Sequence, residues 1–352
     1  MRILLTGITG FVGSHMCDYI LKNMENIESV KIFATRRWRS DDSNIKHLYG
    51  DERVKFIEAD LFDRGSLRNI IEVSQPNYVF HFASQSYPMA SFNTPIYTLT
   101  TNIIGTVNLL EELKSARDKN ICDPIIISVS SSEVYGNPEP DEVPIKETNP
   151  IRAANPYSIS KVGHDLMSQF YHKAYGLKII TTRMFSHEGS RRGKLFALSN
   201  FAYQIVQHEK DFYLEREYPI SFFSDTLQQD VKVEEFYEIK VGNLDSVRTY
   251  SHIDDAVEAY WLCAMKGRVG DVYNIGGDFV CKVGEALENL LSKSIIPRKK
   301  FKIITDPNRI RPTDITLQIP DCTKFKNLTG WKPKKTIDDI CQDLLNYWRD
   351  KL

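Results

Sequence analysis

The chain has 352 residues, of which 42% are apolar and 26% charged, and its formal net charge is −1. That length accommodates one large α/β domain with an annex, or two domains, and the composition is that of an ordinary globular protein. The near-neutral balance leaves no footprint for nucleic acid or an anionic membrane, and no apolar run reaches the roughly 18 residues a spanning helix needs.

The chain opens directly on a strand, without a basic leader segment, so a cytoplasmic location is expected. The six cysteines (Cys17, Cys122, Cys263, Cys281, Cys322, Cys341) form no Cys-x-x-Cys pair and no zinc-like spacing with histidine. Buried free thiols in a reducing compartment, and no metal site, are the expectation.

Residues 2–6 are an apolar run of the kind that makes a buried parallel strand. Gly7-Ile8-Thr9-Gly10-Phe11-Val12-Gly13 follows at once, and then a helical pattern over 14–22. Glycines between a strand and a helix allow a tight turn and close backbone approach, and the helix N-terminus supplies donors to a pyrophosphate. The candidate dinucleotide contacts here are Thr6, Gly7, Gly10, Phe11, Val12 and Gly13. A second strand at 30–35 ends in Arg36-Arg37-Trp38-Arg39. An acid at that place would bind ribose hydroxyls, whereas arginine accommodates a 2′-phosphate, so Arg36 and Arg37 favour NADP, with NAD as the alternative.

A third strand over 54–61 brings Asp60 and Leu61 to the adenine end. A fourth over 78–83 leads into a loop, so that Phe82, Ala83, Ser84 and Gln85 pass under the nicotinamide half. A long helix over 96–117 and a fifth strand over 125–129 complete an alternating pattern that implies right-handed crossovers and a Rossmann-type, doubly wound parallel sheet.

The fifth strand delivers Ser131 and Glu133 to the carboxyl edge, where open α/β sheets bind ligands. Tyr157 and Lys161 follow with the spacing that puts two side chains on one helix face. There an ammonium can favour a phenolate, and a phenol so tuned can exchange a proton with a sugar hydroxyl. Ser131, Glu133, Tyr157 and Lys161 are therefore the candidate catalytic set. The helix continues to about 175 and a sixth strand covers 177–183. After that the periodicity breaks: 186–193 reads as a polar, basic loop and 209–240 as mixed charge and aromatic without a period. Residues 1–185 are expected to form the dinucleotide-binding domain, rejoined by about 241–275, and 186–352 mainly a smaller substrate lobe. Arginine is the natural bidentate partner of phosphate, which makes Arg248 and Arg311 candidates for a substrate diphosphate.

Taken together these residues resemble the extended short-chain dehydrogenase/reductase enzymes of nucleotide-sugars, and more narrowly the GDP-mannose 4,6-dehydratase family, over nearly the full length. The narrower likeness rests on Arg36-Arg37, on Gln85-Ser86 with Ser91-Phe92, and on His187-Glu188 with Arg191-Arg192-Gly193. Gly242-Asn243-Leu244-Asp245 before Arg248, and Arg311-Pro312-Thr313 before Gly330-Trp331-Lys332-Pro333, complete it.

The resemblance implies a GDP-sugar substrate touching Ser86, Ser186, His187, Glu188, Arg192, Asn243, Arg248, Arg311 and Asp314. It also implies an internal redox cycle: Tyr157 takes the 4-hydroxyl proton as C4 gives up hydride, Glu133 removes the C5 proton as water leaves C6, and hydride returns to C6. A GDP-sugar 4-dehydrogenase, 4-keto reductase or epimerase on the same scaffold is the alternative. A non-catalytic dinucleotide sensor is a remoter one, opposed by the intact Ser131/Tyr157/Lys161 set.

The chain departs from the family pattern at Ser131 (usually Thr), Ser186 (usually Asn) and Asp314 (usually Glu). Residues 209–240 are also longer and more acidic than expected. The resemblance implies GDP-mannose or a related GDP-hexose or heptose as the substrate, and the departures at Ser186 and in 209–240 point to a pyranose other than mannose, such as a heptose. Subunit pairing through helices 96–117 and 157–175 is implied as a homodimer, with a homotetramer, joined through the 36–39 loop, as the larger possibility.

Overall fold

The structure, a computed structural model, describes residues 1–24, 30–217, 222–224, 229–231 and 236–352. Six strands form in chain order, β1 (Arg2–Thr6), β2 (Lys31–Arg36), β3 (Val54–Glu58), β4 (Tyr78–His81), β5 (Ile125–Val129) and β6 (Ile179–Met184). Between them run α1 (Phe11–Asn23), α2 (Arg64–Ser74), α3 (Pro88–Asn93), α4 (Pro95–Leu99), α5 (Gly105–Asp118) and α6 (Pro156–Tyr175).

The later chain adds β7 (His187–Glu188), α7 (Ala197–Glu217) and a hairpin of β8 (Phe222–Ser224) with β9 (Gln229–Val231). It continues with β10 (Tyr237–Val241), β11 (Val247–His252), α8 (Ile253–Lys266), β12 (Val272–Ile275), β13 (Phe279–Lys282) and α9 (Val283–Ser292). β14 (Phe301–Thr305), β15 (Leu317–Gln318), α10 (Thr323–Thr329) and α11 (Ile337–Lys351) end the fold.

The main sheet is parallel, in the order β12-β6-β5-β4-β1-β2-β3. Its strands read as unbroken apolar runs because both faces are covered. In β1, Ile3 and Leu5 pack with α1 and α8, on Met16, Ile20, Ala256 and Cys263. Leu4 on the opposite face meets α2 and α5 through Leu67, Ile70, Leu109 and Leu113. Burying each such side chain contributes about 1.5–3 kcal/mol. Where β6 leaves the sheet, the Arg183 guanidinium grips the carboxylate of Asp165 on α6 at 2.9 and 3.1 Å, both buried, and donates to the Tyr135 hydroxyl.

A second core lies outside the sheet. Leu198, Phe201, Ala202, Ile205 and Val206 of α7 pack on Leu287 and Leu290 of α9 and on Ile340, Leu344 and Trp348 of α11.

Four expectations need correction. The single helix over 96–117 is three pieces, α4, a π-helical turn at Thr100–Ile104, and α5. The extra residue in that turn lets Asn102 face inward, where it accepts from the Gln85 N–H and donates to Ser160 Oγ. The third and fourth strands stop at Glu58 and His81, short of 61 and 83, because the chain turns there into the ligand edge. Helix α3 was not expected. Finally, the stretch after 185 is not aperiodic: α7 covers part of 209–240, and the apolar spacing of 198, 201, 202, 205 and 206 is the helical signal. Of the rest of 209–240, residues 218–221, 225–228 and 232–235 lie outside the described residues.

Candidate active site

The carboxyl ends of β1, β2, β4 and β5 open onto a cavity of about 1040 Å³. Gly7 has φ +75, and a Cβ there would lie 2.8 Å from the Ala83 nitrogen. A Cβ on Gly13 would come within 2.3 Å of the Gly7 carbonyl oxygen, so α1 can press its first turn against the loop only with glycine there. The α1 N-cap, Gly10, has no capping side chain and the first turn carries no acid. Its free N–H groups and positive dipole end thus suit an anion.

Phe11, Val12, Asp60, Leu61, Phe82, Ala83 and Ser84 line the same wall, and so do Arg36 and Arg37. Arg36 donates to the Tyr49 hydroxyl at 2.9 Å and Arg37 to the Tyr97 hydroxyl at 3.4 Å. Two candidates do not line the cavity. The Thr6 hydroxyl is turned inward onto His81 Nδ1 at 2.8 Å and accepts the Ala83 N–H. Gln85 folds over its own loop, accepting from the Tyr87 N–H and donating to the Tyr87 carbonyl and Thr98. Both shape the wall from behind.

Among the described residues, the buried hydroxyls of Thr101, Ser130 and Tyr260 on this cavity have no hydrogen-bond partner. Buried polar atoms without partners are rare and point to a ligand or solvent. Together with the glycine cradle they fit a polar, phosphate-bearing dinucleotide.

Helix α6 starts on a strong signal. Asn155 is the N-cap, its Oδ1 accepting the Ser158 N–H at 2.8 Å, and Pro156 follows at the first helical position. One turn in, Tyr157 and Lys161 face β5. Lys161 Nζ donates to the Val129 carbonyl at 2.9 Å. Ser131 accepts the Glu133 N–H at 3.2 Å and is near enough to the Tyr157 phenol to favour its ionised form. Asn155 Nδ2 also donates to Glu133 Oε2 at 3.0 Å, so one side chain both starts the helix and aims the glutamate. Sequence reading missed Asn155, although Asn-Pro before a helix is a recognisable start.

Burial, and then the charge of Glu133, push the Tyr157 phenol well above its ordinary value; the Ser131 hydroxyl and Arg192 pull the other way. Burial also lowers the Lys161 ammonium to about 8, against a raising influence from Asp165. The expected lowering of the phenol by Lys161 is therefore not found in the protein alone. The ammonium is spent on the Val129 carbonyl, and loss of water around the ring outweighs the charges nearby.

The facing wall comes from three separated segments, and Ser86 joins the cavity from the loop after β4 on the sheet side. Ser86, Ser186, His187, Glu188, Arg192, Asn243, Arg248, Arg311 and Asp314 all line the cavity. Arg192 stacks over Phe196 at 3.5 Å and Phe11 at 5.0 Å, and its Nε faces Glu188 Oε2 at 3.6 Å. Burial raises Glu188 to about 6, with Arg192 opposing, and burial and then Arg192 lower His187 to about 4. Asp314 Oδ2 accepts from Asn243 and Ser246. Arg311 Nη1 stands between Asp314 (3.7 Å) and Glu133 (3.8 Å), too far for a hydrogen bond to either. Arg248 donates to the carbonyls of Val247 and Ile315. Asn200, Tyr250, Tyr260, Arg309 and Gln318 also line the cavity and were not foreseen; only Arg309, in the same basic turn as Arg311, carried a local signal.

The parallel sheet, its glycine loop and the cavity at the carboxyl edge are the architecture of the extended short-chain dehydrogenase/reductase class. A family description, GDP-mannose 4,6 dehydratase, matches residues 4–218 and 224–344, and the chain belongs to that family. The human protein "GDP-mannose 4,6 dehydratase" is 27% identical over 97% of this chain and 90% of its own length. A solved structure of RMD from Pseudomonas aeruginosa with NADPH is 23% identical, covers 100% of both chains, and has a TM-score of 0.77. Another, of dTDP-glucose 4,6-dehydratase from Bacillus anthracis with NAD, is 25% identical over 100% of this chain and 97% of its own, also with a TM-score of 0.77. Among the described residues, no helix is long and apolar enough to cross a membrane.

Proposed function

We propose that the protein is an NADP-dependent GDP-sugar 4,6-dehydratase that converts GDP-mannose or a related GDP-hexose or GDP-heptose to its 4-keto-6-deoxy form. The observation that carries this is Glu133, held by Asn155 on the cavity wall beside Ser131 and Tyr157. Simple reduction or oxidation at C4 needs no carboxylate there, whereas elimination across C5 and C6 needs a base.

The glycine loop would hold the dinucleotide's pyrophosphate, Asp60 and Leu61 its adenine end, and Arg36 and Arg37 a 2′-phosphate. The bound nicotinamide supplies the chemistry of accepting and returning a hydride. Tyr157 takes the proton of the sugar 4-hydroxyl, with Ser131 orienting that oxygen. The 4-ketone acidifies C5–H, and Glu133 removes that proton and delivers it to the departing C6 hydroxyl, which leaves as water. The resulting 5,6-alkene becomes the product when hydride is added at C6 and a proton returns to C5 on the Glu133 side. Arg248 and Arg311 bind the diphosphate and Asn243 and Asp314 the nucleoside ribose, while Ser86, Ser186, His187, Glu188 and Arg192 border the sugar.

The partition into a dinucleotide-binding part (1–185 with about 241–275) and a substrate part follows from the same reading. So does pairing of two subunits: Ile96, Ile104, Ile159, Leu166 and Phe170 leave an exposed apolar face along α4, the π-helical turn and α6. Sedimentation is expected to show a dimer.

The test is incubation with GDP-mannose and a GDP-heptose in the presence of catalytic NADP. Loss of one water, seen by mass spectrometry, is the expected result. Hydride exchange at C4 without loss of water would replace the reading with a 4-keto reductase or epimerase.

A further inference from the structure

Tyr260 is fully buried on α8, a helix that otherwise gives the core apolar residues such as Ala256, Val257 and Cys263. Its hydroxyl has no partner among the described residues. Leaving such a group unpaired costs more than one hydrogen bond is worth, so its retention needs a cause.

Its surroundings narrow the cause. The ring stands edge-on to Phe82 at 5.2 Å, and Phe82 lies just past β4, beside the Ala83 backbone that closes on Gly7. Tyr157 and Arg192 are near enough to act on the phenol through charge, and burial, the largest influence, drives its ionisation far upward. The group keeps its proton and can serve as a neutral donor. The side chains read as facing the substrate diphosphate, Arg248 and Arg311, belong to the later segments of the opposite wall, and Asp60, Arg36 and Arg37 mark the adenine end. A neutral donor on the cavity beside Phe82 suits a neutral acceptor at the redox end of the dinucleotide.

We propose that the Tyr260 hydroxyl, on the cavity beside Phe82, donates to the carboxamide oxygen of a bound nicotinamide and so fixes which face of the ring meets the substrate. This rests on the cofactor reading given above. Tyr260 is then a specificity residue for the nicotinamide ring, separate from the proton chemistry of Tyr157.

Tyr260→Phe removes only the unpartnered oxygen. Two measurements test the proposal, quenching of protein fluorescence by NADP and by 2′-phospho-ADP-ribose, which lacks the ring, and thermal melting without ligand. The expected result is NADP binding weakened roughly three- to ten-fold, the worth of a neutral hydrogen bond. Binding of 2′-phospho-ADP-ribose stays unchanged and the ligand-free melting temperature rises. Equal effects on the two ligands, no effect on either, or a fall in melting temperature would each overturn the assignment. If the unaltered protein binds neither compound, the cofactor reading itself fails.

Discussion

The sheet-side wall of the cavity, residues 7–161, is shaped chiefly by backbone: glycines that admit no side chain, a bare helix end, and hydroxyls on short strand ends. The facing wall, drawn from residues 186–318, is shaped by arginines resting on carboxylates, carbonyls and aromatic rings. The first kind of wall fixes geometry and tolerates almost no change of shape. The second fixes charge and tolerates change of shape but not of sign. A nucleotide-sugar lying between them would be aligned by one and gripped by the other.

The largest expected effect comes at the point where the walls meet. Tyr157→Phe should lower turnover by roughly 10²–10⁴-fold, the usual worth of positioned acid–base chemistry, with binding of both nucleotides kept; an active Phe variant would break the comparison outright. On the backbone wall, Gly13→Ala forces a methyl into the Gly7 carbonyl, so dinucleotide binding should be lost while GDP binding survives, as calorimetry can show. On the charged wall, Arg311→Met should raise KM for the GDP-sugar about 10- to 100-fold with kcat less affected, the range expected for one charge-assisted hydrogen bond. A KM that does not move would take Arg311 out of the binding role.

The smallest effect is a pH dependence. Lys161, lowered to about 8 by burial, is charged below that pH and loses its charge above it. The rate of C4 oxidation should therefore fall above pH about 8, by roughly tenfold at pH 9. Initial rates between pH 6 and 10 measure it, and a flat profile to pH 10 would show that the charge is not needed.

The sequence disclosed the backbone wall far better than the charged one, for a physical reason. A glycine loop and a Tyr-Lys pair one turn apart act over a few residues, so their spacing survives in the linear chain. The side chains of Thr6 and Gln85 answer to His81 and Thr98, whose position depends on tertiary packing, and nothing local shows that they turn inward. Tyr250, Tyr260 and Gln318 reach the cavity only through elements that close on it from far along the chain. The balance at Tyr157 was misread for a related cause, since burial, the largest influence there, is set by the whole fold. Helix α7 is a different case: its apolar spacing was present, and the buried Glu209, paired with Arg349, masked it as a charged stretch.

The edge strand β12 has a consequence for how the protein is made. β12 covers the outer edge of β6, and α8, just before it, covers the face of α1. A nascent chain released at about residue 185 would carry a bare strand edge and a greasy helix flank, both ready to stick to a neighbour. The ribosome must add some ninety further residues before either is sheltered, so early termination should yield insoluble material rather than a small working nucleotide binder.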